Sequence, residues 1–132
     1  MEYDKGRILC VDDDKDTRDM MTALLGLEGY EVVQAQNVAQ GLRLSNTNHF
    51  DLILLDWFFE DGTGIELCKM LGGANSSAPI LFYSGVGNRD EIESAMLAGA
   101  QGFLIKPVDL DDLLHSVARL VCHEPNPYRA TS

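Results

Sequence analysis

The chain has 132 residues, a net charge of −11 and 45% apolar residues. This length suits a single domain, and the negative charge argues against direct binding of nucleic acid, whose phosphates attract Lys and Arg. No run approaches the roughly 20 apolar residues of a membrane span, and the charged stretch from Met1 to Arg7 is followed by no signal-peptide core. We therefore expect a cytoplasmic protein without a membrane partner.

Short apolar runs of strand length alternate with segments of helical spacing along the whole chain. The predicted strands are 7–11, 31–35, 51–55, 79–83 and 102–105. The predicted helices are 15–28, a segment after Asn37 to about residue 45, 65 to about 71, 88–98, and a segment from 109 to about 122. Asp14, Asn37 and Asp109 are expected at helix N-caps, Gly29 at a helix end, and 61–64 in a turn.

The strands are apolar on both faces and each is followed by a helix, a pattern typical of a parallel sheet covered on two sides. Because crossovers between parallel strands are right-handed, the sequence predicts a doubly wound α/β fold. The predicted domain comprises residues 1–122. The segment 123–132 contains Pro125 and Pro127 and is expected to be a flexible C-terminal tail.

Polar residues follow the predicted strands at one edge of this sheet, where doubly wound folds bind their ligands. They are Asp12, Asp13, Asp56, Ser84 and Lys106. The three cysteines and three histidines show no metal-ligand spacing, so this set is the strongest candidate site.

Three carboxylates at one edge repel one another, and a divalent cation relieves that repulsion. Ligands that are all oxygen atoms favour Mg²⁺ over zinc. Lys106 and Ser84 suit an oxyanion, as a point charge and a hydrogen-bond donor. Together these groups indicate phosphoryl transfer, in which an aspartate can itself be the nucleophile.

The chain resembles the receiver domain of two-component response regulators at these residues. The matching segments are Ile-Leu-Cys-Val-Asp12-Asp13, Leu-Ile-Leu-Leu-Asp56, Tyr-Ser84-Gly and Gly-Phe103-Leu-Ile-Lys106-Pro107, and the resemblance extends from about residue 7 to 122. It implies a flavodoxin-like sheet of five parallel strands in the order 2-1-3-4-5 with five flanking helices. It also implies a phosphorylation-activated switch of a phosphorelay, with no enzymatic activity beyond its own phosphorylation and dephosphorylation.

The resemblance assigns a role to each residue of the site. Asp56 would be the phospho-acceptor and a ligand of Mg²⁺, to which Asp13 would bind directly and Asp12 through water. The backbone carbonyl of Phe58 would be a further ligand. Lys106 and Ser84 would contact the phosphoryl group.

The resemblance also implies how the signal leaves the site. Ser84 and Phe103 would be the switch residues, and Pro107 would follow a cis peptide bond. The phosphoryl donor would be a histidine kinase or a phosphotransfer protein. The output would be another protein or a second copy, bound through the face of the fourth helix, fifth strand and fifth helix.

The sequence departs from the family pattern after the acceptor, where Phe59-Glu60 replaces the usual Met-Pro or Leu-Pro. In addition, Phe58 and Val86, which flank the acceptor in the family, are both apolar. An apolar side chain cannot orient an attacking water, so we expect slow self-dephosphorylation.

The sequence leaves three alternatives open. Asp12 and Asp14 also fit the D-x-D of a haloacid dehalogenase-type phosphatase, although the chain is short for that fold with its usual cap. The domain could instead be a receiver-like binding module, which the full set of acidic residues argues against. It could also be a receiver cut from a longer regulator.

Overall fold

The computed structural model describes residues 4–73, 78–85 and 87–122. The helices are α1 Lys15–Leu27, α2 Val38–Thr47, α3 Gly64–Gly73, α4 Arg89–Leu97 and α5 Leu110–Val121. The strands of the main sheet are β1 Gly6–Val11, β2 Tyr30–Ala35, β3 Leu52–Leu55, β6 Ile80–Ser84 and β7 Gly102–Ile105. A separate hairpin consists of β4 Phe58–Phe59 and β5 Gly62–Thr63.

The main sheet has the order β2-β1-β3-β6-β7, and all of its strand pairs are parallel. Since β6 and β7 are the fourth and fifth predicted strands, the predicted order 2-1-3-4-5 and the doubly wound fold are confirmed. The β4–β5 hairpin was not predicted from the sequence, because two-residue strands give no periodic signal.

Alternating side chains of the strands divide the core into two layers. The first cluster packs with α2, α3 and α4, and its strand residues include Leu9, Val11, Ile53 and Phe82. The second cluster packs with α1 and α5, and its strand residues include Ile8, Cys10, Leu52, Leu54, Leu81 and Tyr83. Every residue of β3 is buried, as expected for the central strand of a sheet covered on both faces. Among the described residues, no helix has both the length and the apolar character that crossing a bilayer requires.

Two of the three predicted N-caps hold the start of a helix with their side chains. Asp14 accepts a hydrogen bond from the Thr17 amide at 3.2 Å, and Asn37 accepts one from the Gln40 amide at 2.8 Å. Asp109 lies at the N-cap position of α5 but forms no capping hydrogen bond with its side chain, so only its position was predicted correctly.

Gly64, the first residue of α3, brings the chain close to the end of β3. Its amide donates to the Trp57 carbonyl at 2.6 Å. A Cβ here would overlap the Asp56 carbonyl oxygen and lie 2.7 Å from a ring carbon of Phe82. Only glycine lets α3 begin this close to Asp56.

Candidate metal and phosphoryl site

The parallel register brings the candidate residues together at the carboxyl edge of the sheet. Val11 is paired with Leu55, so the next residues, Asp12 and Asp56, leave adjacent central strands side by side. The Asp56 amide continues the ladder by donating to the Val11 carbonyl at 3.0 Å.

The strands β6 and β7 are joined to each other at the same edge. The Lys106 amide donates to the Ser84 carbonyl at 2.8 Å, and the bond between Lys106 and Pro107 is cis, as the family resemblance implied. Ser84 is buried, with 1% of its surface exposed.

The carboxylates of Asp12, Asp13 and Asp56 converge, with one oxygen of each lying within 4.8 Å of the others. Asp12 is buried, Asp56 is half-buried and Asp13 is exposed. The Asp56 carboxylate accepts a hydrogen bond from the Trp57 amide at 2.8 Å, and that of Asp12 accepts one from the Asp14 amide at 2.9 Å. These bonds hold two of the three carboxylates in place.

Lys106 is the cation of this cluster. Its Nζ lies 3.3 Å from Asp12 Oδ2 and 3.7 Å from Asp56 Oδ2. Although burial by itself would lower the pKa of Lys106, the carboxylates of Asp56 and Asp12 raise it above its ordinary value. The ammonium group therefore remains charged at neutral pH.

The electrostatics of Asp56 favour a cation in addition to Lys106. Burial raises the pKa of this carboxyl, against the Trp57 hydrogen bond, which lowers it, and the negative charge of Asp12 raises it further. An additional cation would therefore stabilise the charged form of this half-buried carboxyl, which lies beside two other carboxylates. The donors are oxygen atoms only, so the cluster fits a hard divalent ion such as Mg²⁺.

Phe58, predicted to supply a metal-binding carbonyl, lies on β4, two residues after Asp56, and pairs with Thr63. Its side chain is 58% exposed. Val86, the other predicted flanking residue, lies outside the described residues. The predicted tail, 123–132, also lies outside them.

Phe103, the predicted switch aromatic, is partly buried. Its ring stacks on Phe82 with centroids 5.6 Å apart and lies 6.0 Å from the centroid of Trp57. Trp57 directly follows Asp56, so this aromatic group connects the end of β3 with β6 and β7.

Asp61 has a role that sequence analysis missed, since it was assigned only to a turn. Its carboxylate accepts hydrogen bonds from the backbone amides of Val38 at 2.9 Å and Ala39 at 3.0 Å. The Ala39 and Val38 bonds lower the pKa of this carboxyl. The hairpin that carries Phe58 is thereby attached to the N-terminus of α2, an end that attracts negative charge. These partners are 22 and 23 residues away, so no local motif reveals them.

Residues 8–118 match the family model of the response regulator receiver domain. The chain is 33% identical over 115 residues to the transcriptional regulatory protein CusR of Escherichia coli. The aligned region covers 87% of this chain and 51% of CusR. The chain therefore spans about half the length of that relative.

Solved structures agree with this match. The receiver domain of the Francisella response regulator 1452 has a TM-score of 0.85 and 27% identity, covering 91% of this chain and 99% of that one. The response regulator TrrA of Thermotoga maritima, in complex with Mg²⁺ and beryllofluoride, has a TM-score of 0.79 and 26% identity, covering 91% of this chain and 99% of that one.

Proposed function

The chain belongs to the response regulator receiver domain family, whose members are phosphorylation-activated switches, and we propose that Asp56 is its phospho-acceptor. The observation that carries the proposal is the convergence of two other carboxylates and the Lys106 ammonium group on Asp56 at one sheet edge. Asp56 directly follows β3, the middle strand of the sheet.

Asp12, Asp13, Asp56 and the Phe58 carbonyl are the proposed ligands of Mg²⁺. When bound, the ion would supply positive charge for the phosphoryl oxygens and for the crowded carboxylates. Lys106 would neutralise a phosphoryl oxygen, and the Ser84 hydroxyl would donate a hydrogen bond to another.

In the proposed reaction, a carboxylate oxygen of Asp56 attacks the phosphorus atom of the donor. The new P–O bond forms as the bond from phosphorus to the leaving group breaks, and the leaving group takes that electron pair. We propose a phosphohistidine of a histidine kinase or phosphotransfer protein as the donor. Asp13 and Phe58, which follow the strands β1 and β3, are both exposed and would be accessible to such a donor.

The phosphatase alternative receives no support from the family match. The structure adds a reason specific to this chain. The second carboxylate of the D-x-D pattern, on Asp14, accepts hydrogen bonds from the hydroxyl and amide of Thr17 at 2.6 Å and 3.2 Å. Asp14 therefore acts as a helix cap, and a phosphatase would need it as a proton donor at the site.

We propose that phosphorylation is read out at the surface formed by α4, β7 and α5. Four large apolar side chains are exposed on these elements: Met96, Leu97, Ile105 and Leu110. Ser84 and Phe103 would connect this surface with Asp56, because a hydroxyl drawn toward the phosphoryl group leaves space that an aromatic ring can fill. The binding partner would be an output protein or a second copy.

The proposal is tested by incubating the protein with acetyl phosphate and Mg²⁺ and measuring its intact mass. We expect one added phosphoryl group in the wild type and none in Asp56→Asn. Asp13→Ala should weaken both labelling and Mg²⁺ affinity, the latter followed by the fluorescence of Trp57, the single tryptophan of the chain. Asp14→Asn is the matched control and should label normally. Full labelling of Asp56→Asn would refute the assignment.

A further inference from the structure

The ring of Tyr83 lies next to the ammonium group of Lys106. Lys106 Nζ is 5.0 Å from the ring centroid, within the distance at which the negative face of an aromatic ring attracts a cation. Tyr83 precedes Ser84 on β6, so its side chain points to the opposite face of the sheet. It is 9% exposed and belongs to the core cluster packed with α1 and α5.

Three groups thus attract the Lys106 ammonium: the carboxylates of Asp12 and Asp56 and the ring of Tyr83. Two of the three are also proposed metal ligands. When a divalent cation is bound, these carboxylates share their charge with it and attract Lys106 less strongly. The ring has no part in metal binding, so its attraction is unchanged.

We propose that Tyr83 is a positioning residue that holds the Lys106 ammonium at the site after the carboxylates have engaged the metal. The inference rests on the proposed function, because it concerns how Lys106 is kept ready for the phosphoryl group. A lysine side chain carries about 2 kcal/mol of rotamer entropy. A ring fixed in the core reduces the freedom that Lys106 must lose when the phosphoryl group arrives.

The simpler role for Tyr83 is that of a core side chain, and the chain offers a matched control for it. Tyr30 is 5% exposed and belongs to the same core cluster. It begins β2, where it pairs with Gly6, at the edge of the sheet opposite the site. Tyr30→Leu therefore removes an equal ring from the same layer without touching Lys106.

The experiment compares wild type, Tyr83→Phe, Tyr83→Leu and Tyr30→Leu. The probe is beryllofluoride, an analogue of the phosphoryl group, titrated in the presence of saturating Mg²⁺ and followed by Trp57 fluorescence. We expect Tyr83→Phe, which keeps the ring, to bind like the wild type. Tyr83→Leu should weaken beryllofluoride binding by about threefold to thirtyfold. The affinity for Mg²⁺ alone should change less than twofold, because the ring is not a metal ligand.

A second measurement needs neither metal nor phosphoryl analogue. A proton held over an aromatic face is shifted upfield in an NMR spectrum, so the side-chain methylene protons of Lys106 should show such a shift in the metal-free wild type. We expect Tyr83→Phe to keep this shift and Tyr83→Leu to lose it. If Tyr83→Leu does not fold, Tyr83→Met, which also lacks the ring, takes its place with the same expectations.

Equal beryllofluoride affinities for Tyr83→Phe and Tyr83→Leu would overturn the inference. An equal loss in Tyr30→Leu would do the same, because the effect would then follow from core stability. In both cases, normal phosphorylation of Asp56 in the wild type would leave the proposed function standing. A wild type that is not phosphorylated at Asp56 would instead overturn the proposed function, and with it this inference.

Discussion

Replacing Asp56 with Asn should stabilise the protein in the absence of divalent cations, even though it removes the proposed acceptor. The carboxylate oxygens of Asp12 and Asp13 lie within 4.8 Å of that of Asp56. At an effective dielectric constant of about 20, each fully charged neighbour at this distance repels Asp56 by about 3.5 kcal/mol. Asp13 is exposed, so solvent reduces its share to roughly half.

The attraction of Lys106 offsets most of this repulsion. Its Nζ is 3.7 Å from Asp56 Oδ2, which at the same dielectric constant corresponds to about 4.5 kcal/mol. The repulsion from Asp12 and Asp13 thus exceeds the attraction of Lys106 by roughly 1 kcal/mol, which disfavours the charged form of Asp56. The cost of burying this charge disfavours it further. Asparagine keeps an oxygen for the Trp57 amide. We therefore expect Asp56→Asn to raise the free energy of unfolding by about 1 to 2 kcal/mol.

The pH dependence of this gain follows from the raised pKa of Asp56. The folded protein binds a proton more readily here than the unfolded chain does, so wild-type stability falls as pH rises from the ordinary value of 3.8 through the folded-state pKa. The advantage of Asp56→Asn is thus full above the folded-state pKa. It disappears below the ordinary value, where the carboxyl is protonated in both states.

The assay is urea unfolding followed by circular dichroism, at neutral pH with EDTA and again with Mg²⁺. In Mg²⁺ the order should reverse, because only the wild type keeps the full set of proposed ligands and would gain stability from binding. Asp111→Asn, an equal change in the first turn of α5, is the control and should be neutral or slightly destabilising. An Asp56→Asn variant less stable than the wild type in EDTA would refute the electrostatic reasoning.

Three further predictions concern the hairpin and the thiols. Phe58→Asn should shorten the lifetime of the phosphorylated form by up to about 100-fold, because an amide can orient an attacking water. Mg²⁺ affinity is measured alongside as a control. An unchanged rate of dephosphorylation would show that this side chain does not control water access. Asp61→Ala should lower stability at neutral pH and weaken Mg²⁺ binding by loosening the hairpin. Because the folded-state pKa of Asp61 is lowered, the stability difference should vanish as pH falls through that pKa in urea unfolding, and equal stability at pH 7 would contradict the role of this contact. Burial raises the pKa of Cys10 to about 12 and that of Cys68 to about 11. A thiol reagent at pH 8 should therefore modify only exposed Cys122 in the native protein. Rapid modification of a second cysteine would contradict the burial of Cys10 and Cys68.

The sequence was sufficient to predict the fold because its signals are local and repeated. Apolar runs such as 51–55, followed by helical spacing, indicate buried parallel strands with crossover helices. Parallel strands place their carboxyl ends at one edge, so the convergence of Asp12, Asp56 and Lys106 could be predicted without coordinates. The N-caps at Asp14 and Asn37 were also predictable, because a cap depends on partners three residues away.

Only the tertiary structure determined the contacts between elements distant in sequence. No pattern in the chain indicates that Asp61 binds the amides that open α2, or that the ring of Tyr83 faces the Lys106 ammonium group. Residues close together in the sequence indicate the strand, helix or turn to which they belong. Which side chain of another element they meet depends on the register of the sheet and on the way the helices pack against it. For the same reason Asp56 and Lys106 could be predicted as site residues from the sequence, while the structure was needed to find the residues that hold them in position.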